Sequence, residues 1–272
     1  METETIKNTF NNTEKLYHYT SFNNAIKIII NNTLLFGKLR DLNDINELYR
    51  PLSFYYHPHY SNSNNSDDYK KMEDDFYKYQ QISLTEDKNN RLGFDIPAMW
   101  GHYGQHGNGI CLVFSKKHLT SCLNYEKKRR HIVFDKVKYT KEYSPVVTYR
   151  TDADKKPIPF NKREEKDFFF HKTKDWSYEQ EFRVIIKSNS NEREKFNFKN
   201  SLMYIIMHNA ESIGHEKSIY YSTEYKTLKT ITNNNIPILE HSIWFQDTQL
   251  TYYNKTIWSS SPTFSKEIIL DI

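Results

Sequence analysis

Cysteine is nearly absent from this chain: among 272 residues only Cys111 and Cys122 occur. Neither stands at metal-ligand spacing, and two thiols make no disulfide scaffold, so a zinc domain and a cystine-stapled fold are both set aside. Long hydrophobic runs are also missing, and nothing approaches the roughly 20 apolar residues that cross a bilayer. Met1 to Asn12 has no apolar stretch after its charges, which argues against a secretory signal. Nor is one sign of charge in excess: the formal net charge is +4, too weak to mark a nucleic-acid binder by itself. These absences predict a soluble cytoplasmic protein that makes no membrane contact. Hydrophobic residues are sparse at 37%, but aromatics reach 15%, with 21 Tyr and 17 Phe. A core built from rings is expected.

The length fits a single domain over 1–272. Its core is expected over about 14–187, with strands and a helix in 188–272 completing or extending it. Residues 1–13 read as a polar, frayed lead. Lys15 to Tyr19 predicts a strand, and Ser21 the cap of a helix from Phe22 to about Ile30. Residues 57–68 predict a loop, and Tyr69 to Tyr79 a charged, aromatic helix. Gln81 to Thr85 predicts a strand. Pro97 opens one or two helical turns through Gly104, and Ile110 to Phe114 is a buried strand. Gly104, Gly107 and Gly109 precede that strand instead of opening a helix, so they are no dinucleotide fingerprint. Lys116 to Arg130 predicts a helix with basic ends, and His131 to Tyr139 one alternating strand. Asn161 to His171 predicts a helix, as does Thr223 to Thr232. Leu202 to Met207, Ser218 to Tyr221 and Ile238 to Phe245 predict strands. Strands and helices alternate without βαβ regularity, so the fold class is α+β.

The most informative stretch runs from Lys174 to Ile186. Read as a strand, it points Phe182, Val184 and Ile186 to one face and Glu179, Glu181, Arg183 and Ile185 to the other. Two carboxylates and a guanidinium then share a face. An edge strand with a cross-face ion pair is the plain explanation. A site is the other, because unpaired buried carboxylates are costly. A second polar cluster stands at Tyr17-His18-Tyr19-Thr20.

A strand bearing His18, Tyr19 and Thr20, an aromatic helical turn with Trp100 and Tyr103, and a late Glu179-x-Glu181 together resemble the His-Tyr-Glu branch of the ADP-ribosyltransferase fold. The resemblance implies a split β-sheet core with flanking helices that grips NAD, here a substrate and not a resident cofactor. By that likeness His18 contacts the nicotinamide ribose, Tyr19 and Thr20 supply the adjoining backbone, and Trp100 or Tyr103 stacks on the nicotinamide ring. Glu181, second of the Glu-x-Glu, is the catalytic carboxylate. Glu179 orients the acceptor, and Arg183 keeps Glu181 ionised or meets a phosphate. The chemistry suits these groups, since cleavage next to the ribose passes through an oxocarbenium-like species that a preorganised carboxylate stabilises.

Five ordered motifs carry a second resemblance, covering roughly 16–187. They are Tyr17-His18-Tyr19, Asn43-Asp44, Met99-Trp100-Gly101-His102-Tyr103, Gly109-Ile110-Cys111-Leu112-Val113-Phe114, and Trp176 through Arg183. Their order is similar to the bacterial domain-of-unknown-function family 2971 (DUF2971). Ile45-Asn46-Glu47 departs from the Pro-Phe-Glu common there.

The second likeness supplies no activity; the first implies an NAD-consuming ADP-ribosyltransferase or NAD glycohydrolase, a bacterial toxin or anti-phage defence effector. Its acceptor would be nucleic acid, protein or, in hydrolysis, water. The basic run Lys127 to Arg130 tilts toward nucleic acid. No metal is expected. One alternative is a non-catalytic nucleotide-binding sensor or interaction module of a defence system. Another is a metal-dependent nuclease, for which only Asp41, Asp44 and Glu47 lie close together.

Overall fold

The computed structural model describes residues 3–44, 47, 70, 74–88, 91–141, 162–208, 219, 222–244, 247–252 and 255–259. In chain order its helices are α1 (Thr3–Asn12), α2 (Phe22–Asn31), α3 (Pro97–His102), α4 (Lys116–Glu126), α5 (Lys162–Phe169) and α6 (Thr223–Ile231). The strands are β1 (Lys15–Thr20), β2 (Thr33–Leu35), β3 (Gly37–Lys38), β4 (Tyr79–Glu86), β5 (Ile110–Ser115), β6 (Ile132–Lys136), β7 (Lys138–Thr140), β8 (His171–Thr173), β9 (Glu181–Lys187), β10 (Lys195–Asn197), β11 (Leu202–His208), β12 (Ile238–Trp244), β13 (Asp247–Tyr252) and β14 (Lys255–Ser259). The class is α+β with mixed sheet pairing, as expected. The chain gathers into two compact units, Met1–Thr33 with Thr85–Ser121 and Phe198–Ile272, and Leu34–Leu84 with Cys122–Asn197.

In the first unit the strand order is β14-β13-β12-β11-β5-β1, and Leu16 and Tyr17 of β1 pair onward with Glu86 and Thr85. Every pairing is antiparallel except β11 with β12. All six residues of β5 are buried, as its continuous apolar run predicts. The approach of β5 to the end of β1 requires Gly109, where a Cβ would fall 2.5 Å from the Thr20 carbonyl oxygen. Ser21 caps α2 by accepting from the Asn24 N–H, and Asn32 closes it in the left-handed conformation.

The N-terminal residues correct the expectation of a frayed lead. Ile6 and Phe10, four apart on α1, are fully buried, and Phe10 packs its ring against Phe94 and Tyr204. The buried Lys15 ammonium donates to the Phe10 and Thr13 carbonyls at 2.8 Å each, closing the helix end. Only two apolar residues in a polar decamer serve that burial, too few to stand out as a periodic pattern.

In the second unit β9 lies between β4 and β6, with β3 also on β4. β9 is therefore not an edge strand, and all of its residues but Lys187 are buried. Its Ile185 joins an aromatic core of Phe76, Tyr79, Phe168, Phe169 and Phe170 with Leu39 and Val133. Phe169 sits 4.5 Å from Tyr79 and 4.9 Å from Phe168 between ring centres. The expectation of a ring-built core holds here.

Three further corrections follow. His131 to Tyr139 is two strands, broken at Val137, whose N–H turns to the Glu181 carbonyl at 2.8 Å. Glu179 is outside β9: Lys174–Glu179 is a 3-10 turn, and Gln180 after it adopts φ 47°, ψ 47°. Ile219, expected in a strand, is in a 3-10 turn. β8, β10, β13 and β14 were not foreseen. The 57–68 loop lies outside the described residues, as do 69 and 71–73 of the expected Tyr69 to Tyr79 helix; 70 and 74–76 are helical, but 77–78 form a turn and Tyr79 opens β4.

Candidate functional site

Alternation along β9 puts Glu181 and Arg183 on one side of the strand, and there they meet as a fork. Arg183 Nε donates to Glu181 Oε1 at 2.7 Å and its Nη2 to Oε2 at 2.8 Å. Its remaining Nη1 donates to Glu47 Oε1 and to the Phe169 carbonyl, each at 2.6 Å. The second cation comes from β8. Lys172 Nζ lies 2.6 Å from Glu179 Oε2, 3.2 Å from Glu181 Oε2 and 3.8 Å from Glu47 Oε2. All five residues are buried, Arg183 to 1% exposure and Glu181 to 3%.

The break at Gln180 brings Glu179 in. In a continuous strand Glu179 and Glu181 would lie along one face, two residues apart. With Gln180 left-handed, the 3-10 turn folds Glu179 back onto the same ammonium that Glu181 meets. A non-glycine residue at positive φ is uncommon, and such strain collects at functional sites.

Electrostatics fix the charge states. Burial alone would raise the Glu181 pKa, but Arg183 and then Lys172 outweigh it and hold the carboxyl well below the usual range. Burial likewise works against charge on Lys172 and Arg183, yet Glu181 and Glu47 push both pKa values up. Three carboxyl groups thus gather around two cations in a buried place.

The cluster has a way out. The Ser83 hydroxyl on β4 hydrogen-bonds the Glu181 carboxylate and also accepts from Gln81 Nε2 at 3.2 Å, and Ser83 is exposed. The Tyr139 hydroxyl accepts from the Glu181 N–H at 2.8 Å. Lys172 Nζ lies 5.1 Å from the ring centre of the half-buried Trp176. Thr173 Oγ1 and Gln180 Oε1, at either end of the 3-10 turn, are buried without a hydrogen-bond partner among the described residues.

His18, Tyr19, Thr20, Trp100 and Tyr103 belong to the first unit, whereas Glu179, Glu181 and Arg183 belong to the second. His18 is partly exposed on β1, between buried neighbours. Tyr19 donates its hydroxyl to the Gly93 carbonyl at 2.6 Å, and Trp100 its indole N–H to the Phe94 carbonyl at 2.8 Å. The Trp100 indole is 3% exposed. It lies against His241 with ring centres 5.3 Å apart, near His208 at the same distance, and edge to face with Tyr19. Tyr103 is only half buried. His208 and His241 share a hydrogen bond between their Nδ1 atoms at 3.1 Å, and His241 Nε2 is buried with no partner among the described residues.

Sequence reasoning paired Glu181 with Arg183 but gave no role to Lys172 or Tyr139, and considered Glu47 only beside Asp41 and Asp44 as a metal ligand. β8 has only three residues, and the turn after it hides Lys172 from any periodicity. Glu47 is 136 positions from Arg183, a separation that no local pattern spans. The oxygens of Glu47 face Arg183 and Lys172, and Asp41 pairs with Arg193 at 3.7 Å. Among the described residues no three His, Cys, Asp or Glu side chains gather as metal ligands, and no helix is long and apolar enough to cross a membrane.

Residues 99–184 match the profile of DUF2971, described as a protein of unknown function. That stretch holds the Met99-Trp100 motif, the buried β5 strand and the Trp176 to Arg183 motif up to one residue beyond the arginine. Neither a curated protein nor a solved structure matches the chain.

Proposed function

We propose that this protein cleaves the nicotinamide–ribose bond of NAD, as an ADP-ribosyltransferase or an NAD glycohydrolase, with Glu181 as the carboxylate beside the reacting carbon. The observation that carries the reading is the buried Glu181 carboxylate, held ionised by the Arg183 fork and the Lys172 ammonium and touched by the exposed Ser83 hydroxyl. When the carbon–nitrogen bond breaks, nicotinamide leaves with the electron pair and positive charge grows on the ribose. A carboxylate already ionised and fixed by Arg183 and Lys172 needs no reorganisation to meet that charge. The attacking atom then comes from water or from a nucleic-acid or protein acceptor. Arg183 and Lys172 act as positioning residues, and Glu179 shares the Lys172 ammonium. The resemblance assigns nucleotide contacts to His18, Tyr19, Thr20, Trp100 and Tyr103 of the first unit. A toxin or anti-phage role rests on the same resemblance.

The test is nicotinamide release from NAD by purified protein, alone and with DNA, RNA or cell lysate. Loss of one preorganised electrostatic group lowers turnover about 10²–10³-fold, and Glu181→Gln should fall at least that far. Since that variant also leaves Arg183 short of a partner, Ser83→Ala serves beside it: its fold should persist while turnover drops several-fold. No release by wild type under any of these conditions, with no NAD-induced rise in melting temperature, would end the proposal.

The second reading is a non-catalytic nucleotide-binding module. It is favoured by the closure of both Glu181 oxygens on the Arg183 fork at 2% side-chain exposure. In that case NAD or another nucleotide binds to wild type and to Ser83→Ala alike, and no nicotinamide appears.

A further inference from the structure

The turn that follows α4 carries Lys127, Lys128 and Arg129, all exposed, and among the described residues none of them has an acidic partner. Glu126, just before them in the chain, is already engaged, because Arg130 takes both Glu126 at 3.7 Å and Glu194 at 2.7 Å. The three cations are also not splayed at random. Arg129 lies over the Tyr125 ring at 4.9 Å, and Tyr125 is 43% exposed. Lys127 lies over Phe134 of β6 at 5.6 Å. Lys136, exposed and two residues further along the same face of β6, extends the line.

Register tells which face this is. Phe134 pairs with Val184 and Lys136 with Phe182, and the Phe134 and Phe182 rings are 6.0 Å apart. These are the β9 residues that point away from the Glu181 and Arg183 side. The basic and aromatic strip is thus separated from the acidic cluster by the strand itself, and a polyanion lying on it meets no carboxylate of that cluster.

We infer that this strip binds single-stranded nucleic acid, with Lys127, Lys128, Arg129 and Lys136 on successive phosphates and the Tyr125–Arg129 stack under an unpaired base. Cations in line neutralise a backbone and release its counterions. An exposed ring with a guanidinium on it supplies the flat surface on which single-stranded bases stack without regard to sequence. An anionic membrane would use the same cations, but the strip has no exposed aliphatic side chain to enter the acyl region. The strip stands whether or not NAD is cleaved on the other side of β9.

The experiment is fluorescence anisotropy of a labelled 20-nucleotide single strand, as DNA and as RNA, titrated with the full-length protein from 50 to 300 mM NaCl. With three to four phosphates engaged, log affinity should fall against log salt with a slope of about −2 to −3, since each contact on a single strand contributes about −0.7. Reversing the three turn cations (K127E, K128E and R129E together) should weaken binding at least tenfold. Tyr125→Ala should weaken it several-fold while leaving the salt slope unchanged, as a lost stack but not a lost charge would. All these side chains are exposed, so circular dichroism should match wild type. Unaltered affinity in the triple variant overturns the inference. So does binding to phosphatidylserine vesicles in the absence of oligonucleotide binding, or a Tyr125→Ala variant indistinguishable from wild type.

Discussion

The two units each bury a polar cluster, and they solve the same electrostatic problem in opposite ways. Around Glu181 the second unit keeps its identified charges and answers them with others: bidentate Arg183, three-way Lys172, and a Phe169 carbonyl on the Arg183 Nη1. Around Trp100 the first unit keeps its groups neutral. Burial pulls the His241 pKa down to about 3, with His208 adding to the effect, and burial also lowers His208. Charge is affordable in the interior only where its partners are built in, and where they are not, the interior selects the uncharged form. A cluster that retains charge can stabilise charge in a ligand. The histidine pair offers hydrogen bonds and ring surface instead.

The largest way to break the contrast is to remove a cation from the charged cluster. Arg183→Met leaves Glu181 and Glu47 buried and underpaired, and urea unfolding should show a loss of about 3–5 kcal/mol. Adding Glu181→Gln and Glu47→Gln to that variant should recover a good part of the loss, because the uncompensated charges go with them. No recovery would mean that packing of the guanidinium, and not its charge, held the site.

Acid separates the two clusters next. His241 has a folded pKa below its unfolded value of about 6.5, so the unfolded chain binds the proton first. Stability should therefore fall as pH drops from about 6.5 toward 3, with a limiting slope of about 1.4 kcal/mol per pH unit. Glu181 also has a depressed folded pKa, but its unfolded value is about 4.3. Its contribution is complete above that pH and is lost only as pH falls further, toward the folded pKa. Between pH 6.5 and 5, amide hydrogen exchange should thus quicken around β11 and β12 while β9 stays protected. His241→Gln should remove most of that slope and leave the loss below pH 4 in place.

Two smaller effects complete the series. Gly107 has φ +88°, and a Cβ there would come 3.3 Å from His208 Cδ2. Gly107→Ala should therefore cost about 1 kcal/mol or somewhat more in thermal unfolding. Arg130→Ala removes two partly exposed ion pairs, and the same measurement should move by no more than about 1 kcal/mol.

What could be read from the sequence followed the reach of local pattern. The Ser21 cap, the Pro97 start and the apolar run of β5 were legible because the signal and the element coincide within a few residues. α1 was not, since its case for order rests on Phe94 and Tyr204, far along the chain. At the charged cluster, Glu181 and Arg183 were legible as a pair on one strand face. Lys172 and Glu47 were not, because a three-residue strand and a contact across 136 positions leave no periodic trace. The burial of Trp100 also had to come from the structure: an indole in a short helical turn looks the same in sequence whether its neighbours are solvent or His208 and His241.

The left-handed Gln180 sets a filter on which sequences can inherit this arrangement. It stands between two glutamates in the chain, and its backbone is what lets both reach one lysine. Glycine or asparagine would pass that filter at little cost, while valine or isoleucine would not, because branching at Cβ resists positive φ. Drift at this middle position is thus governed by backbone shape, even though the glutamates on either side would be judged by their chemistry.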